Sequence, residues 1–249
     1  MAKANGHDAA PAPVLAVGLG RGSSGKSTLL MEMIWRAKNQ GRSPIVADGD
    51  MRSRTLSGFF PDAMQPPTDE LPDGKAWLSS VLNRMVKEQR SAVLDLGGGD
   101  RLLLEFGRDL QLVAFCQRRD IEPLAVYVMG PEPEDLRHCL AIWDAGFFRP
   151  QRAVIVLNEG VVKAGRTVAG AFELIMADPG FVRMVAEGAK ALMLNRLPCF
   201  DLVKASGHGV YGAAAGAAGL DPVEEFQCED WVAGLEANRV KAGVAAWLP

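Results

Sequence analysis

The sequence predicts an α/β fold, a doubly wound, mostly parallel sheet flanked by helices. Three observations predict it. Short apolar runs alternate with helical stripes along the chain, three of those runs end in glycine or aspartate, and the first opens into a glycine-rich turn followed at once by a helical stripe. Strands that alternate with helices pair in parallel through right-handed crossovers, so the alternation itself dictates the architecture.

The elements follow in order. Residues 1–13, with Pro11 and Pro13 among small and polar residues, carry too little apolar surface to fold and read as a loose tail. Val14-Leu15-Ala16-Val17 is a buried strand that runs into the turn Gly18-Leu19-Gly20-Arg21-Gly22-Ser23-Ser24-Gly25. From Lys26, the apolar Leu29, Leu30, Met33, Ile34 and Ala37 recur at helical spacing and stop before Gly41, a C-terminal cap. A second strand covers 44–47. Between Phe60 and Lys75, Pro61, Pro66, Pro67 and Pro72 disfavour helix and sheet, which predicts a surface excursion within one domain of residues 14–249. Trp77, Leu78, Val81, Leu82, Met85 and Val86 form the next helical stripe, and Ala92-Val93-Leu94 runs into Asp95-Leu96-Gly97-Gly98-Gly99. Then come a helix near 101–118, a strand at 124–129, a helix near 133–144, a strand at 153–157 ending in Asn158, and a strand at 191–194. The stretch from Gly212 to Gly219 is a loop or a closely packed helix end, and a last helix is expected over about 222–247.

Composition narrows the job. The 249 residues carry 27 basic against 30 acidic side chains, a formal net charge of −3. A dedicated nucleic-acid coat or a polybasic membrane anchor depends on a large positive field, which this balance lacks. Cys116, Cys139, Cys199 and Cys228 form no C-x-x-C pair and the chain has three histidines, so neither a zinc knuckle nor a secreted disulfide framework is indicated. The expected compartment is reducing cytosol. No apolar run reaches the roughly 18 residues of a bilayer span, and the N-terminus lacks a signal-peptide core.

Chemistry concentrates at three strand ends. Gly20-Arg21-Gly22-Ser23-Ser24-Gly25-Lys26-Ser27 fits G-x-x-x-x-G-K-[ST], the phosphate-binding loop, with the required strand before it and helix after it. Glycines let backbone N–H groups turn inward around phosphate oxygens, and the helix N-terminus adds roughly half a positive charge from its dipole. Gly22, Ser23, Ser24 and Gly25 therefore line the cradle, Lys26 reaches the β and γ phosphates, Ser27 ligates Mg²⁺, and Thr28 approaches the α phosphate of ATP. Asp48-Gly49-Asp50 closes the second strand, where alternation puts both carboxylates on one side, and α/β sheets bind ligands at such strand ends. Asp95 is the natural Walker B acid, and the glycines after it allow backbone approach to a terminal phosphate.

These three stations together resemble the deviant Walker ATPases of the ParA/MinD superfamily, whose pattern is K-G-G-x-G-K-[ST], a D-x-D after the second strand and a D-x-G or D-x-P switch after the third. Within that superfamily the layout looks most like conjugation and plasmid-maintenance proteins of the TraL and StbB kind. The resemblance implies an ATP-dependent homodimer in which two protomers sandwich two nucleotides. By position, Arg21 takes the place of the family's lysine that reaches across to the partner's phosphates, and Ser23-Ser24 replaces a Gly-Val or similar pair. Arginine keeps the charge and adds a planar fork suited to phosphate oxygens, so the role could survive as an arginine finger. The resemblance further assigns Lys26, Asp50 and Arg21 to catalysis, with Asp50 positioning water. Ser27, Asp50 and Asp95 are expected around Mg²⁺, Gly98 senses the γ phosphate, and Asn158 reads the adenine edge. A turn asparagine capping the strand is the alternative for Asn158.

Other features weigh less. Arg118 with Arg119, Lys163 with Arg166, and Arg52 with Arg54 could offer non-specific DNA a basic surface, but a solvated face is favoured because no aromatic residues interleave with the cations. The C-terminal helix carries only Arg239 and Lys241 as cations in 231–248, which favours docking on the core over a membrane. The leading expectation is an ATP-dependent switch acting with a protein partner of a plasmid-partition or conjugation system. A non-hydrolysing nucleotide-binding adaptor is the alternative. A small-molecule kinase is less favoured, because the 60–75 excursion holds no arginine for a lid.

Overall fold

A computed structural model describes residues 11–96, 100–163 and 167–249. The sheet strands are β1 (Val14–Leu19), β2 (Ile45–Asp48), β3 (Ala92–Asp95), β4 (Glu122–Met129), β5 (Arg152–Asn158) and β6 (Lys190–Leu194). Between and after them lie α1 (Lys26–Asn39), α2 (Thr55–Phe59), α3 (Leu71–Glu88), α4 (Asp100–Leu110), α5 (Leu112–Arg118), α6 (Pro133–Ala145), α7 (Glu173–Ala177), α8 (Pro179–Ala186), α9 (Phe200–Ser206), α10 (Gly209–Ala214) and α11 (Pro222–Ala242). The strands form one sheet in the order β2-β3-β1-β4-β5-β6, and every neighbouring pair is parallel.

That order explains the near-continuous apolar composition of the strands. β1 to β5 are covered on both faces, so alternation of polar and apolar residues there would leave polar groups buried, whereas the edge strand β6 begins exposed at Lys190 and Ala191. One face packs Leu15, Val17, Tyr127 and Ile155 with Trp77 and Leu82 of α3 and Trp143 of α6. The other packs Ala16, Val126 and Val154 with Leu30 and Ile34 of α1 and Leu235 of α11. After β1 the chain moves to one side of the sheet, and after β3 it crosses to the other, so the switch point lies at the carboxyl end of β1, where open α/β sheets place ligands.

Several boundaries differ from the expectation for identifiable reasons. The 60–75 stretch is not wholly irregular. Met64 bridges in parallel to Ala47 at the sheet edge, and Pro72 sits in the first turn of α3, where a missing N–H costs nothing. The helix expected over 101–118 is two helices, because Gln111 takes a left-handed φ of 52° that no helix accommodates. The last helix stops at Ala242, where Gly243 adopts φ 70° and a 3₁₀ turn at Ala245–Trp247 follows. Of the two readings of 212–219, the helix end is the nearer one, since α10 closes at Ala214 and turns follow. Periodicity assigned no element to the stretch between β5 and β6, where α7 and α8 lie. No helix among the described residues is long and apolar enough to cross a membrane.

Candidate functional site

The glycine-rich turn leaves β1 at the switch point and becomes α1 at Lys26. Gly20 has φ 139°, and a Cβ there would stand 2.3 Å from the Val128 carbonyl oxygen of the neighbouring strand. Gly25, the N-cap of α1, has φ 88°, and its missing Cβ leaves room for the Asn158 side chain. Both positions are therefore closed to other residues by backbone strain and by contact. Ser23 adopts φ 67° without being glycine, at the position where the ParA/MinD pattern has glycine.

Within this loop the Arg21 carbonyl accepts from the Lys26 ammonium and from the Ser24 amide, each at 3.3 Å. Lys26 is only 6% exposed, so its charge is directed along the loop and not into bulk water. Ser27 Oγ donates to Asp95 Oδ2 at 2.5 Å, which joins the loop to the end of β3. The Ser24 hydroxyl is buried with no hydrogen-bond partner among the described residues. An ammonium, an unpaired hydroxyl and a hydroxyl shared with a buried carboxylate, all at a helix N-terminus, fit a polyphosphate with Mg²⁺. Lys26 and the loop amides would hold the phosphates, and Ser27 and Asp95 the metal. Among the described residues no group of three or more His, Cys, Asp or Glu forms a metal cage. In phosphate sites Mg²⁺ ordinarily takes one or two protein oxygens and completes its shell from phosphate and water.

The two aspartates of the D-x-D segment occupy different environments. Asp48, at the end of β2, is 1% exposed and accepts from the Asp50 amide at 3.2 Å and the Ser57 amide at 2.8 Å. It thereby caps the first turn of α2 from outside that helix, in place of Arg54 at the N-cap. Asp50 lies past the strand in a tight turn, where its carboxylate accepts from the Arg52 amide at 3.0 Å, the Ser53 amide at 3.1 Å and the Ser53 hydroxyl. Burial works to raise its pKa, but the Ser53 hydroxyl, the two amides and the Lys26 charge outweigh that and hold it below the usual carboxylate range. Asp50 is thus an ionised acceptor within the field of Lys26. The Gly49 amide donates to the Asp95 carbonyl at 2.7 Å, which keeps the two acidic stations side by side.

Arg21 is half exposed and its Nε lies 3.5 Å from Asp135 Oδ1 of its own chain, at the start of α6. Asp135 also accepts from the Gly130 amide at 3.1 Å, so β4 and α6 fix the carboxylate that meets Arg21. Asn158, at the end of β5, is 4% exposed and lies behind the phosphate loop. Gly98 and Arg166 fall outside the described residues. Gly22 and Thr28 stand at the loop's outer side and at the first turn of α1.

A cavity of about 350 Å³ opens beside Gly25 and Thr28 and runs along α1 to Trp35, with Leu194 to Pro198 and Trp231 on its far wall. Sequence reasoning missed the 195–198 loop. It is built by long-range bonds, from Asn195 and the Arg196 amide to Glu159 and from Trp231 to the Asn195 carbonyl, and no local motif announces these. It also missed a buried charge cluster beneath the cavity. Glu32 of α1 pairs with Arg239 of α11, Tyr211 of α10 donates to Glu32 at 2.9 Å, and Arg36 pairs with Glu236 at 2.8 Å.

An all-parallel sheet with a phosphate loop at its switch point defines an α/β P-loop NTPase fold. No protein-family model matches the chain, and no curated protein matches it in sequence. Among solved structures, chloroplast FtsY from Physcomitrella patens is similar at a TM-score of 0.49 and 17% identity, over 74% of this chain and 59% of its own. The signal recognition particle receptor FtsY from Elizabethkingia anophelis, in complex with GDP, gives 0.41 and 14%, over 68% and 54%. The MinD cell division protein of Aquifex aeolicus gives 0.45 and 13%, over 91% of this chain and 98% of its own. The chain thus spans little more than half the length of the two FtsY structures. Likenesses of this size carry no functional argument, and the fold rests on the sheet order and the loop.

Proposed function

We propose that the chain is an ATP-binding and ATP-hydrolysing switch of the ParA/MinD kind, dimeric when it holds ATP, acting with a protein partner in plasmid partition, stability or conjugal transfer. The observation that carries the reading is the join at Ser27. There the loop's hydroxyl and the buried Asp95 carboxylate meet at the carboxyl ends of β1 and β3, with Lys26 directed along the same loop. Phosphoryl transfer to water needs alignment and charge neutralisation more than covalent help. Lys26 and the loop amides bind the triphosphate, Asp50 accepts a hydrogen bond from the attacking water and orients it, and Arg21 of one protomer neutralises charge on its partner's phosphates. Mg²⁺, when bound, supplies further neutralisation of the phosphate oxygens.

The test is Arg21→Ala. We expect the variant to bind ATP as a monomer while turnover falls by about 10³ to 10⁵, the range for loss of a trans arginine. Phosphate release equal to the parent's at the same protein concentration would refute the trans role. A second reading, a nucleotide-binding adaptor without hydrolysis, draws on the Arg21–Asp135 ion pair, which holds the candidate finger within its own chain. Sustained phosphate release at micromolar protein, with and without DNA, separates the two readings.

A further inference from the structure

We infer that Asn158 is a positioning residue for the phosphate loop, and that it acts on the polyphosphate through the Ser24 carbonyl and not through the base. The inference rests on the phosphate-site reading above. A loop whose amides turn inward must turn carbonyls outward, and each outward carbonyl needs a donor. The Arg21 carbonyl has Lys26 and the Ser24 amide. The Ser24 carbonyl belongs to a residue only 2% exposed, beyond the reach of bulk water, and its donor is Asn158 Nδ2 at 2.9 Å, a residue 134 positions away.

The rest of the Asn158 amide is committed as well. Its Oδ1 accepts from the Gly160 amide at 2.9 Å, which fixes the ring of atoms at the end of β5. The two bonds together set which end of the amide faces the loop, since a flipped group would set oxygen against carbonyl and NH₂ against N–H. Contact is close enough to restrict the loop's sequence, because a Cβ on Gly25 would stand 2.1 Å from Asn158 Nδ2. Gly25 holds φ 88° and delivers the chain into α1, so a brace there fixes the direction of the amides that precede Lys26. Asparagine suits the task because one planar group carries both the donor and the acceptor that the two backbones require. Aspartate has the same shape without the donor.

The experiment compares the full chain with Asn158→Asp and Asn158→Ser, using ATP and base-free inorganic tripolyphosphate as probes, each with Mg²⁺, by calorimetry. Bracing predicts that both ligands weaken by the same factor, about tenfold, which corresponds to about 1.4 kcal/mol. A loss confined to ATP would make Asn158 a base reader, and unchanged affinity for both with only a lower Tm would make it a fold residue; either overturns the inference. The unaltered protein supplies a second readout that does not depend on a variant folding. The Asn158 side-chain amide protons should be protected from exchange without nucleotide, and protection that appears only with ATP would overturn the inference. If the unaltered protein binds neither probe, the phosphate-site reading itself fails, a result distinct from all of these.

Discussion

On the β5 side of the phosphate loop, polar side chains are buried and paired across long stretches of sequence, whereas the two aspartates at and just past the end of β2 are satisfied by near neighbours. Asn158 reaches Ser24, and Arg239 reaches Glu32 across 207 positions. Asp50, by contrast, is held by Arg52 and Ser53 in an exposed turn. A long-range buried bond is lost only when the packing around it opens, while a turn can exchange its local bonds for others at little cost. The difference teaches that the half of the site proposed to hold nucleotide is built into the fold, and that the half proposed to activate water sits on an exposed turn held by local bonds.

The comparison can be broken by attacking each side in turn. The largest effect is expected at Arg239→Ala, which leaves Glu32 buried without its cation. Removing one member of a buried ion pair costs about 3–5 kcal/mol. Denaturant unfolding should show this loss, with nucleotide affinity of the folded fraction little changed. Asp50→Ala should do the reverse, leaving stability nearly intact while turnover falls by about 100-fold with ATP and dimer retained. Size-exclusion with ATP and Mg²⁺ checks this, and absence of a persistent dimer would count against the assignment of Asp50.

A smaller effect is expected from pH. Burial disfavours the charged form of Glu236, but its bond to Arg36, the nearby Arg239 charge and the Tyr211 hydroxyl prevail and bring its pKa down to about 2. The folded value lies below the ordinary 4.5, so this stabilisation is present above about pH 4.5 and is lost as pH falls towards 2. Thermal unfolding of the parent and of Glu236→Gln should therefore converge between pH 4.5 and 2. If the gap between them stays constant over that window, the β5 side is not held by this charge cluster. The smallest change sharpens the loop itself. Ser23→Gly relieves the left-handed φ of 67° and should stabilise the chain by about 1 kcal/mol in urea unfolding.

What could be read in the sequence was what is local. The strand, glycine turn and helix around Lys26 occupy one continuous segment, and Asp48, Asp50 and Asp95 each close an apolar run. Contacts between distant segments left no trace. The brace from Asn158 to Ser24, the approach of Cys199 Sγ to Cys228 Sγ at 3.6 Å, and the charge cluster under α1 appear only once the sheet order is known. Local signals with two meanings also misled. Pro72 reads as a breaker but opens α3, and Gln111 has no feature that announces its left-handed turn. Asp48 and Asp50 look equivalent by alternation, yet the strand ends between them, so one is buried in a helix cap and the other stands in the turn.

The cluster around Arg239 also changes how α11 should be regarded. At 1.5 Å per residue, Glu32 and Arg36 lie only about 9 and 15 Å along α1 from Lys26. Cutting the chain before Arg239 would strand a carboxylate on the same rod that presents the phosphate loop. A shortened form that loses the second half of α11 therefore gives up the buried pairs that hold α1, and the cost should appear in stability before it appears at the phosphate loop.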